Sequence, residues 1–190
     1  TGCQQPVNAI NCVMDRFESS VPFCEPSSGL DLRYYYCGTL ECDQERLLGP
    51  ALWVHWRLHF VLSGRGRLTT GGKVRELQAG QCFLIAPDVL TSYQPEPGTS
   101  WAYYWVAFNG LNAQAHLRRA GLSVDEPVIG IADLAPVVAG FERMFSASRQ
   151  PGSGDLRLLA ELYQLLALLA DTANATGAAP HPRHDNLYVT

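Results

Sequence analysis

The residues best suited to chemistry lie in one strand-like stretch, residues 53–62, where polar and apolar side chains alternate. Alternate residues of a strand face opposite sides, so Trp53, Arg57 and His59 share one face of this predicted strand. A buried arginine and a buried histidine both need hydrogen-bond partners. The hydroxyl groups of a bound ligand would supply them. The alternative is a structural ion pair for the arginine and a histidine satisfied within an ordinary core.

A second set of candidate residues is aromatic. In predicted strand 101–108 one face carries Tyr103 and Trp105, and Tyr93 lies in the strand predicted before it. Tryptophan and tyrosine offer flat rings for the C–H faces of a sugar and polar tips for its hydroxyls. The pattern therefore fits a sugar pocket, although plain core packing would use the same residue types.

The sequence carries no pattern typical of catalysis. It contains no nucleophile elbow, P-loop or dinucleotide fingerprint, and we predict no catalytic residue and no cofactor. The 6 cysteines, at positions 3, 12, 24, 37, 42 and 82, form no metal-binding spacing. We expect free thiols in a reducing cytosol, most of them buried, and leave a pairing of Cys37 with Cys42 open.

Composition excludes two classes of partner. The chain has 190 residues, a net charge of −4 and 17% charged residues. Binding to nucleic acid by this chain alone is disfavoured, since phosphate contacts need a basic face and no basic run occurs. No uncharged apolar stretch is long enough for a membrane span, and we see no signal peptide. We expect a cytoplasmic chain that does not contact a membrane.

Turn residues and hydrophobic periods indicate the elements that position these side chains. We predict strands at 32–37, 53–62, 65–70, 73–77, 82–86, 90–94 and 101–108. Gly71 and Gly72 are a two-residue hairpin signal between two of them. After residue 110 the period becomes helical, and we predict helices at 111–120, 134–147 and 155–172. The expected fold class is mainly β with α, an antiparallel sandwich or small barrel followed by a helical hairpin.

The last predicted helix is rich in leucine. Its apolar stripe includes Leu158, Leu162, Leu165 and Leu169, which recur at three- and four-residue steps. The stripe fits two interpretations. It packs on the domain's own sheet and on helix 134–147, or it forms the seam of a homodimer.

Three segments, in this order and spacing, resemble the effector-binding domain of the AraC family of transcription regulators. They are residues 58–66 (LHFVLSGRG), 77–87 (LQAGQCFLIAP) and 101–110 (WAYYWVAFNG). Residues 36–42 (YCGTLEC) and Gly49-Pro50 look like the branch that answers to oligosaccharides. The resemblance covers about residues 31–173.

The resemblance implies a cupin-like antiparallel jelly-roll barrel that holds a saccharide effector, and a two-helix unit that forms a homodimer. It places Trp105 and Tyr103 inside the barrel against the sugar, and the position of Tyr93 on the pocket wall. It also implies DNA binding through a helix-turn-helix domain absent from this chain. The expected division is an N-terminal arm (1–30), the effector-binding barrel (31–110), a helical dimerisation region (111–173) and a linker (174–190).

Cupin barrels also include metal-dependent enzymes, which makes a second hypothesis. Their metal sites need two close histidines and a glutamate on one strand, then a further histidine. His55 and His59 are four residues apart, but no glutamate follows at the required spacing and Thr91 stands at the later position. We therefore predict no metal site and no enzyme. A metal-dependent cupin enzyme acting on a sugar, or a free-standing carbohydrate-binding module, remains the alternative.

Overall fold

The computed structural model describes residues 18–21, 30–42 and 47–175. Most of the expected arm and the linker beyond residue 175 lie outside these residues. The described elements, in chain order, are β1 (Glu18–Val21), β2 (Arg33–Cys42), β3 (Leu48–Ala51), β4 (Trp56–Ser63), β5 (Arg65–Thr70), β6 (Lys73–Gln78), β7 (Gln81–Ile85), β8 (Thr91–Pro95), β9 (Trp101–Asn109), α1 (Ala113–Arg119), β10 (Val128–Gly130), α2 (Ala135–Ala147) and α3 (Gly154–Ala175).

The strands form two antiparallel sheets. The six-stranded sheet has the order β1-β2-β9-β4-β7-β10, and the four-stranded sheet has the order β3-β8-β5-β6. The predicted fold class is confirmed, with β strands first and helices after them. Three short strands, β1, β3 and β10, were not expected from the sequence, and β10 returns from the helical half of the chain to pair with β7.

The six-stranded sheet is apolar on both faces because it separates two cores. Its inner face and the four-stranded sheet enclose the first, which we call the barrel core: Leu40, Val61, Leu68, Leu77, Phe83, Ile85, Tyr93, Trp101, Tyr103 and Trp105. Its outer face and the helices enclose the helix core, to which the sheet contributes Tyr34, Cys37, Leu58, Phe60, Cys82, Leu84, Val106 and Phe108. Each large apolar side chain fully buried in this way stabilises the fold by about 1.5–3 kcal/mol.

Glycine is required at two kinds of position in the four-stranded sheet. Gly71 and Gly72 form the turn between β5 and β6 with φ of 55° and 76°, which confirms the predicted hairpin. Gly66 lies against the aromatic core instead. A Cβ there would stand 2.7 Å from the carbonyl oxygen of Gln94 and 3.0 Å from the ring of Trp101. The chain can pass so close to this ring because residue 66 has no side chain.

The helices pack on the outer face of the six-stranded sheet. A polar cluster around Asp31 also connects them to the start of β2. The Asp31 carboxylate, just before β2, accepts hydrogen bonds from the Tyr163 hydroxyl on α3 and from the Asn112 amide. His116 Nε2 lies 3.3 Å from the same carboxylate. These hydrogen bonds lower the pKa of Asp31. The cluster therefore connects the start of β2 directly to α1 and α3.

The leucine stripe of α3 faces the domain's own core. Leu158, Leu162, Leu165 and Leu169 are each exposed by 2% or less and pack within the helix core. These four residues are therefore unavailable to a partner helix, and the seam expected from them must be corrected. The periodicity marks the buried face of a helix correctly but cannot say whether its own sheet or a second chain covers that face. Among the described residues, no helix is both long and apolar enough to cross a membrane.

Candidate functional site

β4 places two of the candidate residues on the inner face of the six-stranded sheet. It lies between β9 and β7, so Arg57 pairs with Ala107 on one side and Ile85 on the other. His59, two residues on, pairs with Trp105 and Phe83. The alternation expected from the sequence is thus confirmed for Arg57 and His59.

Trp53 reaches the same region by another route. The predicted strand 53–62 begins at Trp56, and Trp53 precedes it in the connection from β3. Its backbone forms an isolated bridge with Pro87, and its carbonyl oxygen accepts a hydrogen bond from the Asp88 N–H at 2.9 Å. The expectation that Trp53 shares a strand face with Arg57 was wrong, but its ring still meets the arginine.

The guanidinium of Arg57 is surrounded by aromatic rings. Its carbon lies 3.9 Å from the ring centre of Trp53, 5.3 Å from that of Tyr36 and 5.6 Å from that of Trp105. Its Nη2 donates a hydrogen bond of 2.6 Å to the Tyr36 hydroxyl. We call Arg57 with these three rings the arginine cage. Trp53, Tyr36 and Arg57 are half-buried, and Trp105 is 7% exposed, so the cage meets solvent at one end of the barrel core.

A β-bulge brings Tyr36 into the cage. Tyr34 pairs with Phe108 and Tyr36 with the adjacent Ala107, so β2 has one residue more than β9 at this point. Such a bulge turns the following side chains to the other face of the sheet. Tyr34 consequently packs in the helix core and Tyr36 against the barrel core. Sequence reasoning missed Tyr36, because alternation along β2 does not reveal a bulge.

His55 extends the cage toward the surface. Its Nδ1 lies 3.3 Å from the Tyr36 hydroxyl, and its ring centre is 4.0 Å from that of Tyr35. Burial and the charge of Arg57 lower the pKa of His55. The imidazole is therefore neutral near pH 7, and its Nδ1 can accept a hydrogen bond from the Tyr36 hydroxyl, which itself accepts one from Arg57.

The other predicted ligand residues lie deeper in the barrel. His59 is 1% exposed and stacks on Phe83, with 4.5 Å between ring centres. Tyr93 and Tyr103 lie 5.1 and 5.3 Å from the same imidazole. We call these four residues with Trp101 the aromatic floor. Contact of His59, Tyr93 or Tyr103 with an effector stays a prediction, whereas Trp105, Arg57 and Trp53 meet in the cage above them.

Hydrogen-bonding capacity is left over in both layers. Trp53 Nε1 and Arg57 Nε in the cage are buried without a partner, as are His59 Nδ1 and Trp101 Nε1 in the floor. Burial and the charge of Arg57 lower the pKa of His59 well below its ordinary value, so this ring is neutral as well. Ring faces with unused N–H donors suit a polar ligand that also has apolar C–H surface.

The candidate metal ligands of the described residues are histidine, cysteine and acidic side chains, and the buried thiols there are those of Cys37 and Cys82. Within the parts of the chain that the structure describes, no group of three histidine, cysteine or acidic side chains is placed to hold a metal ion. Cys37 and Cys82 are free thiols buried in the helix core. Burial raises the pKa of Cys37 to about 11 and raises that of Cys82 further, so both stay protonated at neutral pH. Such thiols behave as small apolar side chains.

Comparison with known proteins identifies the class. The described strands form an antiparallel barrel that carries ring faces and unused N–H donors, with helices on its outer face. The family described as the AraC-like ligand binding domain matches residues 34–166. This chain belongs to that family, and its two antiparallel sheets form the ligand-binding domain of an AraC-family protein.

Three similar proteins differ in their sequence identity to this chain and in the share of each chain that is covered. The Msm operon regulatory protein of Streptococcus mutans is 33% identical over 95 residues, which are 50% of this chain. This chain spans about a third (34%) of that relative's length. Among solved structures, YhaK of Escherichia coli is 10% identical, with 60% and 51% of the two chains covered and a TM-score of 0.47. A cupin superfamily protein of Desulfitobacterium hafniense is 8% identical, with coverage of 50% and 82% and a TM-score of 0.38.

Proposed function

We propose that this chain is the saccharide-sensing domain of a cytoplasmic transcription regulator, and that it controls a separate DNA-binding domain. The observation that carries the proposal is the arginine cage. It combines two tryptophan rings, a tyrosine hydroxyl and an arginine at the open end of a barrel. The family membership supports a bound small molecule, and the relative from Streptococcus mutans supports a role in operon regulation.

The composition of the cage favours a saccharide over other small molecules. A sugar ring has C–H groups on its faces and hydroxyls on its edge. The rings of Trp53 and Trp105 would lie against the faces. The buried N–H groups of Trp53 and Arg57 would donate to the hydroxyls, which would remove the cost of leaving these donors unpaired.

A thermal-shift screen tests this proposal. The chain is heated with galactose, glucose, arabinose, melibiose and raffinose, each with and without divalent metal ions. A ligand that binds only the folded chain raises its melting temperature by mass action. We expect stabilisation by one class of sugar, independent of metal. Stabilisation by metal ions alone would contradict the proposal and support a metal-dependent cupin enzyme instead. Reading the gene beyond residue 190 separates the sensor from a free-standing carbohydrate-binding module, since only the sensor requires a helix-turn-helix region there.

We propose further that the chain binds effector without chemical conversion. The site offers N–H donors and ring faces, and the described residues form no cluster of three side chains that could hold a catalytic metal ion. Incubation with a sugar that stabilises the chain should return that sugar unchanged, as measured by chromatography. Recovery of a product would contradict this part of the proposal.

A homodimer is the expected assembly. Its interface cannot use the leucine stripe of α3, because that stripe faces the domain's own core. Because the leucine stripe is buried, a second copy would meet the opposite side of α3, which carries Ala160, Gln164 and Ala167. The variant Ala167→Glu should convert a dimer to a monomer in analytical ultracentrifugation. Ala115→Glu, at an exposed position of α1, is the matched control and should leave the dimer intact. A dimer that survives Ala167→Glu would overturn this seam.

A further inference from the structure

The charge of Arg57 has no counter-charge within the described residues. The ion pairs there join Arg65 to Glu96, Arg67 to Glu76, His116 to Asp31 and Arg143 to Glu161. Arg57 takes part in none of them. Its partners are the Tyr36 hydroxyl and three aromatic rings. Rings and a hydroxyl solvate a cation but do not neutralise it.

The guanidinium also has an unused donor away from water. Arg57 Nε is buried and has no hydrogen-bond partner. A desolvated charge is costly unless it is both paired and hydrogen-bonded, and leaving one N–H of a charged group unmade adds to that cost. A ligand group that accepts a hydrogen bond from Nε and carries a negative charge would remove both costs.

The positive field reaches the neighbouring side chains. The charge of Arg57 contributes, after burial, to the lowered pKa of both His55 and His59. Both imidazoles are therefore neutral near pH 7, and among the described residues Arg57 is the one charged member of the cage. No cation would gain by entering, because the rings that would receive it already hold the guanidinium.

A carboxylate completes this site better than a hydroxyl does. It accepts from two N–H groups of a guanidinium at once and brings the missing negative charge. A neutral hydroxyl would satisfy one donor and leave the charge unbalanced. The ring faces of Trp53 and Trp105 still require a ligand with a flat C–H surface.

We propose that the effector is an acidic saccharide whose carboxylate pairs with Arg57 and whose sugar ring lies against the two tryptophans. This inference rests on the proposed function, since it names the chemical class of the saccharide bound in the cage. A hexuronate, alone or at the end of an oligosaccharide, has the required groups. Because Arg57 Nε is buried, the side chains around it must give way before the carboxylate can reach that donor.

Calorimetric titration with matched pairs of sugars tests the inference. Galacturonate is compared with galactose and glucuronate with glucose, and citrate serves as an anion without a sugar ring. We expect at least one uronate to bind about tenfold or more tightly than its neutral partner, which is the range of a charge-assisted hydrogen bond. Added salt should weaken the uronate and leave a neutral sugar unaffected.

Variants assign the effect to the arginine. Arg57→Gln keeps a hydrogen-bonding side chain and removes the charge, so it should abolish the advantage of the uronate. Arg65→Gln is the matched control, because Arg65 is exposed and pairs with Glu96. It should leave the advantage unchanged. Circular dichroism is used to check that both variants are folded. If Arg57→Gln fails to fold, Arg57→Lys is the second variant: it keeps the charge but cannot donate two hydrogen bonds in parallel, so it should reduce the advantage of the uronate.

The possible results separate this inference from the function on which it rests. Neutral sugars that bind as well as or better than uronates would overturn the acidic effector and leave the saccharide sensor standing. Citrate binding as tightly as uronates would overturn the saccharide part and indicate a general anion site. No response to any saccharide, neutral or acidic, would overturn both.

Discussion

The guanidinium of Arg57 is stacked on the indole of Trp53, with 3.9 Å between the guanidinium carbon and the ring centre. The two residues belong to different local structures, since Arg57 lies in β4 and Trp53 in the connection before it. The Asp88 N–H holds the backbone of Trp53 at 2.9 Å. The arginine is therefore positioned by a strand on one side and by a loop on the other.

Replacing Trp105 should abolish binding of the saccharide without unfolding the domain. Trp105→Ala removes the ring that forms one wall of the cage, and Trp105→Leu removes the flat surface while keeping most of the volume. We expect a loss of affinity of at least about tenfold in both, measured by calorimetry with the sugar that gives the largest thermal shift. Truncation in a core also costs about 3–5 kcal/mol of stability, so folding is checked by circular dichroism. Trp56→Leu, on the helix-core side of the same sheet, is the control. Equal affinity of Trp105→Leu and the unaltered chain would remove Trp105 from the site.

Removing the hydroxyl of Tyr36 should weaken binding with little change in the fold. In Tyr36→Phe the Arg57 Nη2 loses its 2.6 Å hydrogen bond, and the link from the arginine to His55 is broken. A partner lost from a charged donor costs about 1–3 kcal/mol, part of it in the orientation of Arg57 for its ligand. Calorimetry should show an affinity lower by about tenfold. Tyr104→Phe, which alters a tyrosine on the opposite face of the sheet, should bind normally. Normal affinity in Tyr36→Phe would show that the arginine does not depend on this hydroxyl.

His59 should make the domain less stable in mild acid. Its pKa in the folded chain is well below the ordinary value of 6.5, with burial as the main cause. Below about pH 6.5 the unfolded chain takes up a proton that the folded chain does not, so the free energy of unfolding falls as the pH falls. His59→Phe keeps an aromatic ring against Phe83 and removes the titration. Urea unfolding between about pH 4.5 and 7.5 should show a flatter profile in this variant. Equal slopes in the two chains would mean that His59 is not the group responsible.

Adding a methyl group at Gly66 should destabilise the barrel. The new Cβ would stand 2.7 Å from a backbone oxygen of β8 and 3.0 Å from the ring of Trp101. Backbone cannot yield without breaking the pairing of β5 with β8, so we expect Gly66→Ala to lose about 1–3 kcal/mol in urea unfolding. Gly130→Ala is the matched control, since a Cβ at that strand position meets nothing within 4 Å. Similar losses in both variants would show that the contact with Trp101 is not the cause.

Alternation of side chains predicted the parts of the site that lie within regular strands. Arg57 and His59 in β4, and Tyr103 and Trp105 in β9, face the barrel core as their sequence positions require. Tyr36 was missed because a bulge in β2 shifts the alternation by one residue, and no turn residue marks it. A bulge is decided by pairing with β9, which sequence reasoning on β2 alone does not contain.

In the helical half, too, the sequence period predicted the local structure but not the contacts between residues distant in sequence. The period of three and four residues in α3 identified its buried face, with Leu158 and Leu162 on it. What covers that face depends on β2, β4 and β9, which are distant in sequence. The small strand β10 was missed for a related reason, because three residues carry no measurable period and form a strand only by pairing with β7.

The wall of the cage and the support of the helices are made by consecutive residues of one strand. Trp105 faces the barrel core, and Tyr104, its neighbour in β9, stacks on Phe141 of α2 at 4.8 Å between ring centres. β9 therefore contacts the arginine cage with one face and α2 with the other. A shift of this strand on ligand binding would therefore reach α2 directly, with no relay of intervening side chains.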